Sequence, residues 1–390
     1  MLYGILNLSF WGYVIALLIT THLTILGVTL YLHRCQAHRG VDLHPIICHF
    51  FRFWLWIATG METKQWVAIH RKHHARVETE EDPHSPQILG IKKLLLEGAE
   101  LYRAEAKKRE TMEKYGAGTP EDWLERNLYR PFSAKGIYVL LLADLVLFGI
   151  PGITMWALQM IWIPFFAAGV VNGLGHYWGY RNFECPDAST NLCPIGIFLG
   201  GEELHNNHHA YGTSAKFSAR WYEFDLGWTY IRFLSFLGLA KVRRVMPKVA
   251  VDTSKEVVDG DTITALLKHR FQIMSRYGKE VILPVLQEER VKACVAGKKV
   301  LDSVKTALTR DRSLVKEQEK PLIASALEKH ASLQLVYQYQ ARLHEIWERT
   351  TATQKELIEA IQEWCRQAEA TGINALREFS RQLKGYQVVR

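Results

Sequence analysis

Polar and apolar positions are sorted along this chain into long blocks. Residues 1–32 contain no Asp, Glu, Lys or Arg, and between residues 136 and 180 the only charged side chain is Asp144. A bilayer crossing takes roughly 20 apolar residues, so both blocks read as membrane-spanning. The first would make about 48 Å of helix at roughly 1.5 Å per residue, too short for two crossings and a turn. One span over residues 10–32 is expected, after an interfacial lead-in. It lacks the basic start and small-residue cleavage site of a signal peptide, so it is expected to stay in place. The second block can fold as a hairpin of two spans about "FGIPG" (148–152), with a short first arm. Residues 43–60 are apolar and aromatic but carry Arg52 and two histidines, which predicts a buried or interfacial helix.

The polar segments complete the frame. Residues 61–135 hold 14 Lys/Arg and read as a cytoplasmic loop with helical stretches. The fold class expected is all-α and integral to a membrane, with about three (alternatively four) transmembrane helices and a cytoplasmic helical cap. Two domains are expected: 1–250 as the membrane part and 251–390 as a soluble helical extension. The extension has 23 Lys/Arg against 19 Asp/Glu and helix-favouring runs such as 321–350, which Pro321 is suited to start.

Composition changes this picture little. The net charge is +8, but the basic residues are dispersed among acids and gather beside apolar blocks. That suits the cytoplasmic side of a membrane protein rather than nucleic-acid binding, and no nucleic-acid partner is expected. The six cysteines (35, 48, 185, 193, 294, 365) form no CxxC pair and read as reduced thiols.

The histidines carry the chemistry. Thirteen of sixteen precede residue 210. Residues at i, i+3 and i+4 share a helix face, so His70, His73 and His74 point one way, as do His205, His208 and His209. The residues between them, Arg71, Lys72, Asn206 and Asn207, are expected to be spacers turned away. Asn172 and His176 are also four apart. His33 and His38 are five apart, which an ideal helix would splay, so the helix should end or distort there. These nine histidines are too many for one metal and about right for two. Imidazole suits iron, copper, zinc and nickel. Zinc has no redox activity, and a hydrocarbon gives a Lewis acid nothing to polarise. Beside apolar helices, the environment favours redox iron.

These motifs resemble the membrane fatty acyl desaturases, close to the Δ9 stearoyl-CoA type and its bacterial relatives. The likeness rests on "HRCQAH" (33–38), "HRKHH" (70–74), "HNNHH" (205–209) and "NGLGH" (172–176), with Trp66 four before His70. "EDPHSP" (81–86), "GHYWGYR" (175–181) and "GEELHNNHHA" (201–210) extend it to roughly residues 10–245. The resemblance implies that His33, His38, His70, His73, His74, His176, His205, His208 and His209 bind two Fe2+ ions, with Asn172 acting through a water. Asp82 and Glu202 would then support ligand imidazoles, Trp66 would line the acyl tunnel, and His84 would not be a ligand.

The implied reaction is O2-dependent formation of a cis double bond, at Δ9, in a fatty acyl-CoA or acyl-phospholipid. It needs an external electron donor, a ferredoxin, rubredoxin or cytochrome b5-type protein with its NAD(P)H reductase. A bacterial inner membrane is the expected location, with the site on the cytoplasmic side. The competing readings are another membrane di-iron oxygenase, such as an alkane or lipid hydroxylase, and a metal transporter.

Overall fold

The computed structural model describes residues 2–349 and 351–388. The chain divides into two compact units. One runs up to Arg181 and resumes over Ala188–Met246; the other combines Asn182–Asp187 with Pro247–Arg390.

The first unit is built on helices. Helix α1 begins at Phe10, where Ser9 caps it by accepting from the Gly12 amide at 3.3 Å. It continues through residue 32 to Ala37, and from Gly27 onward it is wound as a π-helix. Helix α2 (Pro45–Thr59) starts on a proline and stops at Gly60, whose φ of 66° closes it in the left-handed region. Helix α3 (Thr63–Arg76) carries "HRKHH", and α4 (Ile91–Ala106) packs against the later part of the hairpin. The hairpin itself is α5 (Gly136–Phe148) and α6 (Ile150–His176), joined at Gly149. Gly149 has φ 70°, and a Cβ there would lie 2.3 Å from the Leu2 carbonyl oxygen. Two further helices follow, α7 (His205–Ala210) and α8 (Leu226–Phe236). Val41–Leu43 pairs antiparallel with Ala240–Val242, tying the end of α1 to the chain beyond α8.

About three spans, alternatively four, are expected from the sequence; among the described residues, two helices are long and apolar enough to cross a bilayer. They are α1 with 28 residues and α6 with 27. At roughly 1.5 Å per residue each exceeds a hydrocarbon core of about 30 Å. The third expected span, α5, has 13 residues and reaches only about 20 Å. Its apolar surface is exposed nonetheless, as are Trp11, Ile15, Leu18 and Ile19 on α1 and Ile150, Ile153 and Ile161 on α6. Exposed apolar area of this extent calls for an apolar solvent or partner.

The second unit is a helical bundle running from Gly260 to Lys384. Trp364 and Tyr277 anchor its core, and each satisfies its polar atom on a backbone carbonyl. Trp364 Nε1 donates to Tyr339 O at 3.0 Å and the Tyr277 hydroxyl to Val336 O at 2.7 Å. The run 321–350 is not one helix. It breaks at His330 (φ −132°, ψ 84°) into Lys320–Lys329 and Ala331–Trp347.

Candidate metal centre

Four elements bring nine histidines together. His33 sits on the π-wound end of α1 and His38 caps it, His70, His73 and His74 lie on α3, His176 at the end of α6, and His205, His208 and His209 on α7. The π winding solves the spacing problem at the first box. A π-helix bonds i to i+5, which stacks residues five apart on one face. The His38 amide donates to the His33 carbonyl at 3.1 Å, and the two rings lie 5.0 Å apart.

The nine imidazoles separate into two sets. His33, His38, His70, His74 and His208 form one; His73, His176, His205 and His209 form the other. Within each set the nearest ring nitrogens all lie within 4.8 Å of one another. Each triad serves both sets. His70 and His74, four apart, go to the first set and His73 to the second, whereas His205 and His209 go to the second and His208 to the first. One α-helical turn on each triad therefore reaches two adjacent ligand clusters.

The ring nitrogens face one another closely. His33 Nε2 lies 2.9 Å from His208 Nε2, His38 Nε2 2.8 Å from His70 Nε2, and His73 Nε2 3.2 Å from His176 Nε2. Carboxylates fix the tautomers of three rings. His73 Nδ1 donates to Asp82 at 3.0 Å, His33 Nδ1 to Glu202 at 2.8 Å, and His176 Nδ1 to Glu78 at 3.2 Å. A neutral ring that donates from Nδ1 carries a lone pair on Nε2. His73 and His176 thus aim two lone pairs at each other, which a shared cation between them relieves. The Nδ1 atoms of His205 and His208 are also buried without a hydrogen-bond partner.

Electrostatics keep five of the rings neutral. Burial first, and then the neighbouring imidazoles, hold His38, His70, His74, His205 and His208 well below the ordinary histidine value. Burial opposes charge on Asp82 and Glu202. The charge interaction and hydrogen bond with His73 and His33, respectively, win, and both carboxyls stay below their usual range. Neutral imidazoles backed by carboxylates are the donor set that redox iron takes. The residues fit a metal pair.

The expected spacers do more than turn away. Arg71 donates to the carbonyls of Gln36 and Ala37 at 2.8 and 3.0 Å, fastening α3 to the end of α1. Lys72 is buried against Glu105 at 2.7 Å. Asn207 donates to Phe217 O and Glu223, fixing α7 from behind. Asn206 reaches Ser189. Sequence reasoning also missed Arg34, next to His33. Its guanidinium grips Asp225 at 2.9 and 3.1 Å, donates to the carbonyls of Gly200 and Ala215, and lies 3.7 Å over the Phe217 ring. Glu78 was missed as well; it lies in the same acidic run as Asp82 but at φ 59°. Nothing in "VETEEDPH" marks which acid takes that left-handed turn.

A cavity of about 620 Å³ opens beside the histidines. His33, His70, His205 and Asn172 border it at the metal-site end, and Val28, Ile163, Ala167 and Trp156 line its apolar walls. Trp66 stands between the two, its ring stacked on His70 at 4.8 Å and 15°. His84 is half-buried beside them and stacks on His73 at 4.3 Å. Burial pushes it down to about 3, so it is neutral.

The arrangement defines a class: an apolar-helix protein with a cluster of nine imidazoles, able to hold metal, beside an apolar cavity. Comparison with known proteins makes the class specific. The model of the family "Fatty acid desaturase" matches residues 8–234. Delta-9 acyl-lipid desaturase 1 of Arabidopsis thaliana is 30% identical over 220 residues, covering 55% of this chain and 70% of that protein. The sn-1 stearoyl-lipid 9-desaturase of Synechocystis sp. is 30% identical over 230 residues, 58% of this chain and 70% of its own. Icosanoyl-CoA 5-desaturase of Limnanthes douglasii is 31% identical over 225 residues, 55% and 60% respectively. The chain belongs to the fatty acid desaturase family and is an oxidoreductase acting as an acyl desaturase. Residues 264–388, within the second unit, are similar to a family model described as "Transposase".

Proposed function

We propose that the two histidine sets hold two iron ions and that the enzyme converts a saturated fatty acyl chain to its cis-Δ9 product. The overall change consumes one O2, two electrons and two protons, removes two hydrogens from adjacent carbons and yields two waters. Bound iron supplies the dioxygen-activating redox chemistry. The protein supplies everything else. His33, His38, His70, His74 and His208 are ligands at one position, and His73, His176, His205 and His209 at the other. Asn172, which borders the cavity with His205, completes the second set through a water. Asp82, Glu202 and Glu78 hold the Nδ1 protons of their histidines and so keep Nε2 available.

The acyl chain lies in the apolar cavity, past Trp66, with water excluded by the walls around Val28 and Ile163. The observation that carries this reading is the crossed pair of histidine sets bordering an apolar cavity. Relatives named for position 9 act on acyl-lipids, and others are named for acyl-CoA and position 5. We take the Δ9 assignment from the former and offer acyl-CoA and acyl-phospholipid as alternative carriers. Electrons come from a separate ferredoxin, rubredoxin or cytochrome b5-type donor and its NAD(P)H reductase. The enzyme sits in a bacterial inner membrane with the metal centre facing the cytoplasm, in keeping with the Lys/Arg-rich segment 61–135.

The test is to supply iron-replete membranes containing the enzyme with a reducing system and labelled stearoyl-CoA or stearoyl-phospholipid. Mass spectrometry should find a cis-Δ9 product from one of them. A hydroxylated product would replace desaturation with hydroxylation, and no product from either substrate would overturn the proposal.

A further inference from the structure

We propose that α8, the loop 195–198 and Trp221 form an in-plane membrane platform, embedded in one leaflet beside α1. This rests on α1 crossing the bilayer and not on the identity of the acyl substrate.

His22 lies 11 residues before His33, so it sits about 16 Å from the metal-centre level toward the opposite face. That is hydrocarbon depth for a helix that crosses. His22 is bonded to Tyr230 of α8, Nε2 to hydroxyl at 3.1 Å. Ile231 is fully buried in the same apolar cluster as Leu26 and Leu30 of α1, with Leu23 packed against it. The loop preceding α7 reaches the level of Ile25 and Thr29, about 6–12 Å from that of His33: Thr29 Oγ1 donates to Gly200 O at 3.4 Å, and a Cβ on Gly200 would meet Ile25 and Thr29.

Surface continuity is the second observation. The exposed apolar residues of α1 near its start, Phe10, Trp11, Ile15, Leu18 and Ile19, give way at residue 21 to buried positions, with His22 covered by Tyr230. On its outer side α8 exposes Phe233 (57%), Phe236 (86%) and Leu237 (49%). The neighbouring loops expose Phe198 (76%) and Trp221 (95%), linked through the pairing of Ile195 with Phe224. A water-facing surface would not present this row of aromatic side chains.

Charge is the third. From residue 226 to 245 the only ionic side chains are Arg232, Lys241, Arg243 and Arg244, and all four are exposed. Aromatic and aliphatic residues on one side with cations at the edge are the signature of a helix lying in the headgroup boundary, where the cations meet lipid phosphates. A bilayer is therefore the partner that fits, in preference to a soluble donor protein or a second copy of the chain. The platform widens an anchor that otherwise rests on α1 and α6.

Fluorescence quenching tests this on the full chain in liposomes of phospholipids brominated near the headgroup. Native protein is compared with Trp221→Phe and, as a control on α1 itself, Trp11→Phe. The emission lost in Trp221→Phe is expected to come from the lipid-quenched component, as is that lost in Trp11→Phe. Trp11 quenched with Trp221 unquenched overturns the platform and leaves α1 in the bilayer. Neither quenched overturns the platform together with the crossing on which it rests.

Discussion

Asp82→Asn is the sharpest probe of the carboxylates behind the histidines. Both Asp82 oxygens are in use. His73 Nδ1 donates to them at 3.0 and 3.2 Å, the Glu78 amide to Oδ2 at 2.8 Å, and the His84 amide to Oδ1 at 3.1 Å. Asparagine has one acceptor oxygen, so in either orientation its NH2 faces a backbone N–H. The substitution also removes the negative charge that holds the His73 tautomer. Losing a charge-assisted bond of this kind costs about 1.5–3 kcal/mol. Changing the partner of a ligating histidine weakens metal binding about 10–100-fold, which is about 1.4–2.8 kcal/mol. The assay is iron retained per chain during dialysis against a competing chelator, with desaturation measured on the same samples. Thermal unfolding of metal-free protein separates damage to the fold from damage to the site. Iron retention and activity both unchanged from native would refute the reasoning.

Three further outcomes are expected. Arg34→Met should strand the fully buried Asp225 carboxylate and lower stability by about 3 kcal/mol, read as a drop in melting temperature; a native-like melt would contradict this. Trp66→Ala should keep its iron but broaden the positions of the double bond, because the ring stacked on His70 shapes the cavity; an unchanged product pattern would reduce Trp66 to packing. In the second unit, His344 is raised by its hydrogen bond to Asp311, so that contribution is present below about pH 6.5 and lost as pH rises through the folded value. Asp311 is lowered despite burial, chiefly by His344 and Ser313, so its share is present above about pH 4 and lost on acidification. The pair is strongest between those limits, and His344→Gln should speed amide exchange around residues 311–347 more in mild acid than in mild base.

The candidate site was legible in the sequence wherever chemistry and spacing coincide. The two triads share faces because three and four residues make about one helical turn, and that holds without any tertiary information. The pair His33 and His38 required a distortion, which the structure supplies as a π-wound segment; the spacing announced the problem but not its solution. Glu78 escaped because its role depends on a left-handed residue that three neighbouring acids disguise. Arg71, Lys72 and Asn207 looked like spacers because a helical wheel says where a side chain leaves the helix and not what waits there. In the fold, composition marks the first arm of the hairpin as apolar and short, and Gly149 closes it after the 13 residues of α5. The interruption at His330 lies inside a run rich in helix formers and free of internal Gly or Pro, so nothing in the composition announces it.

The central claim is that nine histidines on four elements hold two irons for desaturation. The most direct measurement is metal content per chain, by elemental analysis and Mössbauer spectroscopy, of active enzyme purified in lipid. The account predicts two irons per chain, with iron and desaturation lost together in His73→Ala and in His208→Ala, one from each histidine set. Active enzyme carrying one iron, or zinc in its place, would contradict it.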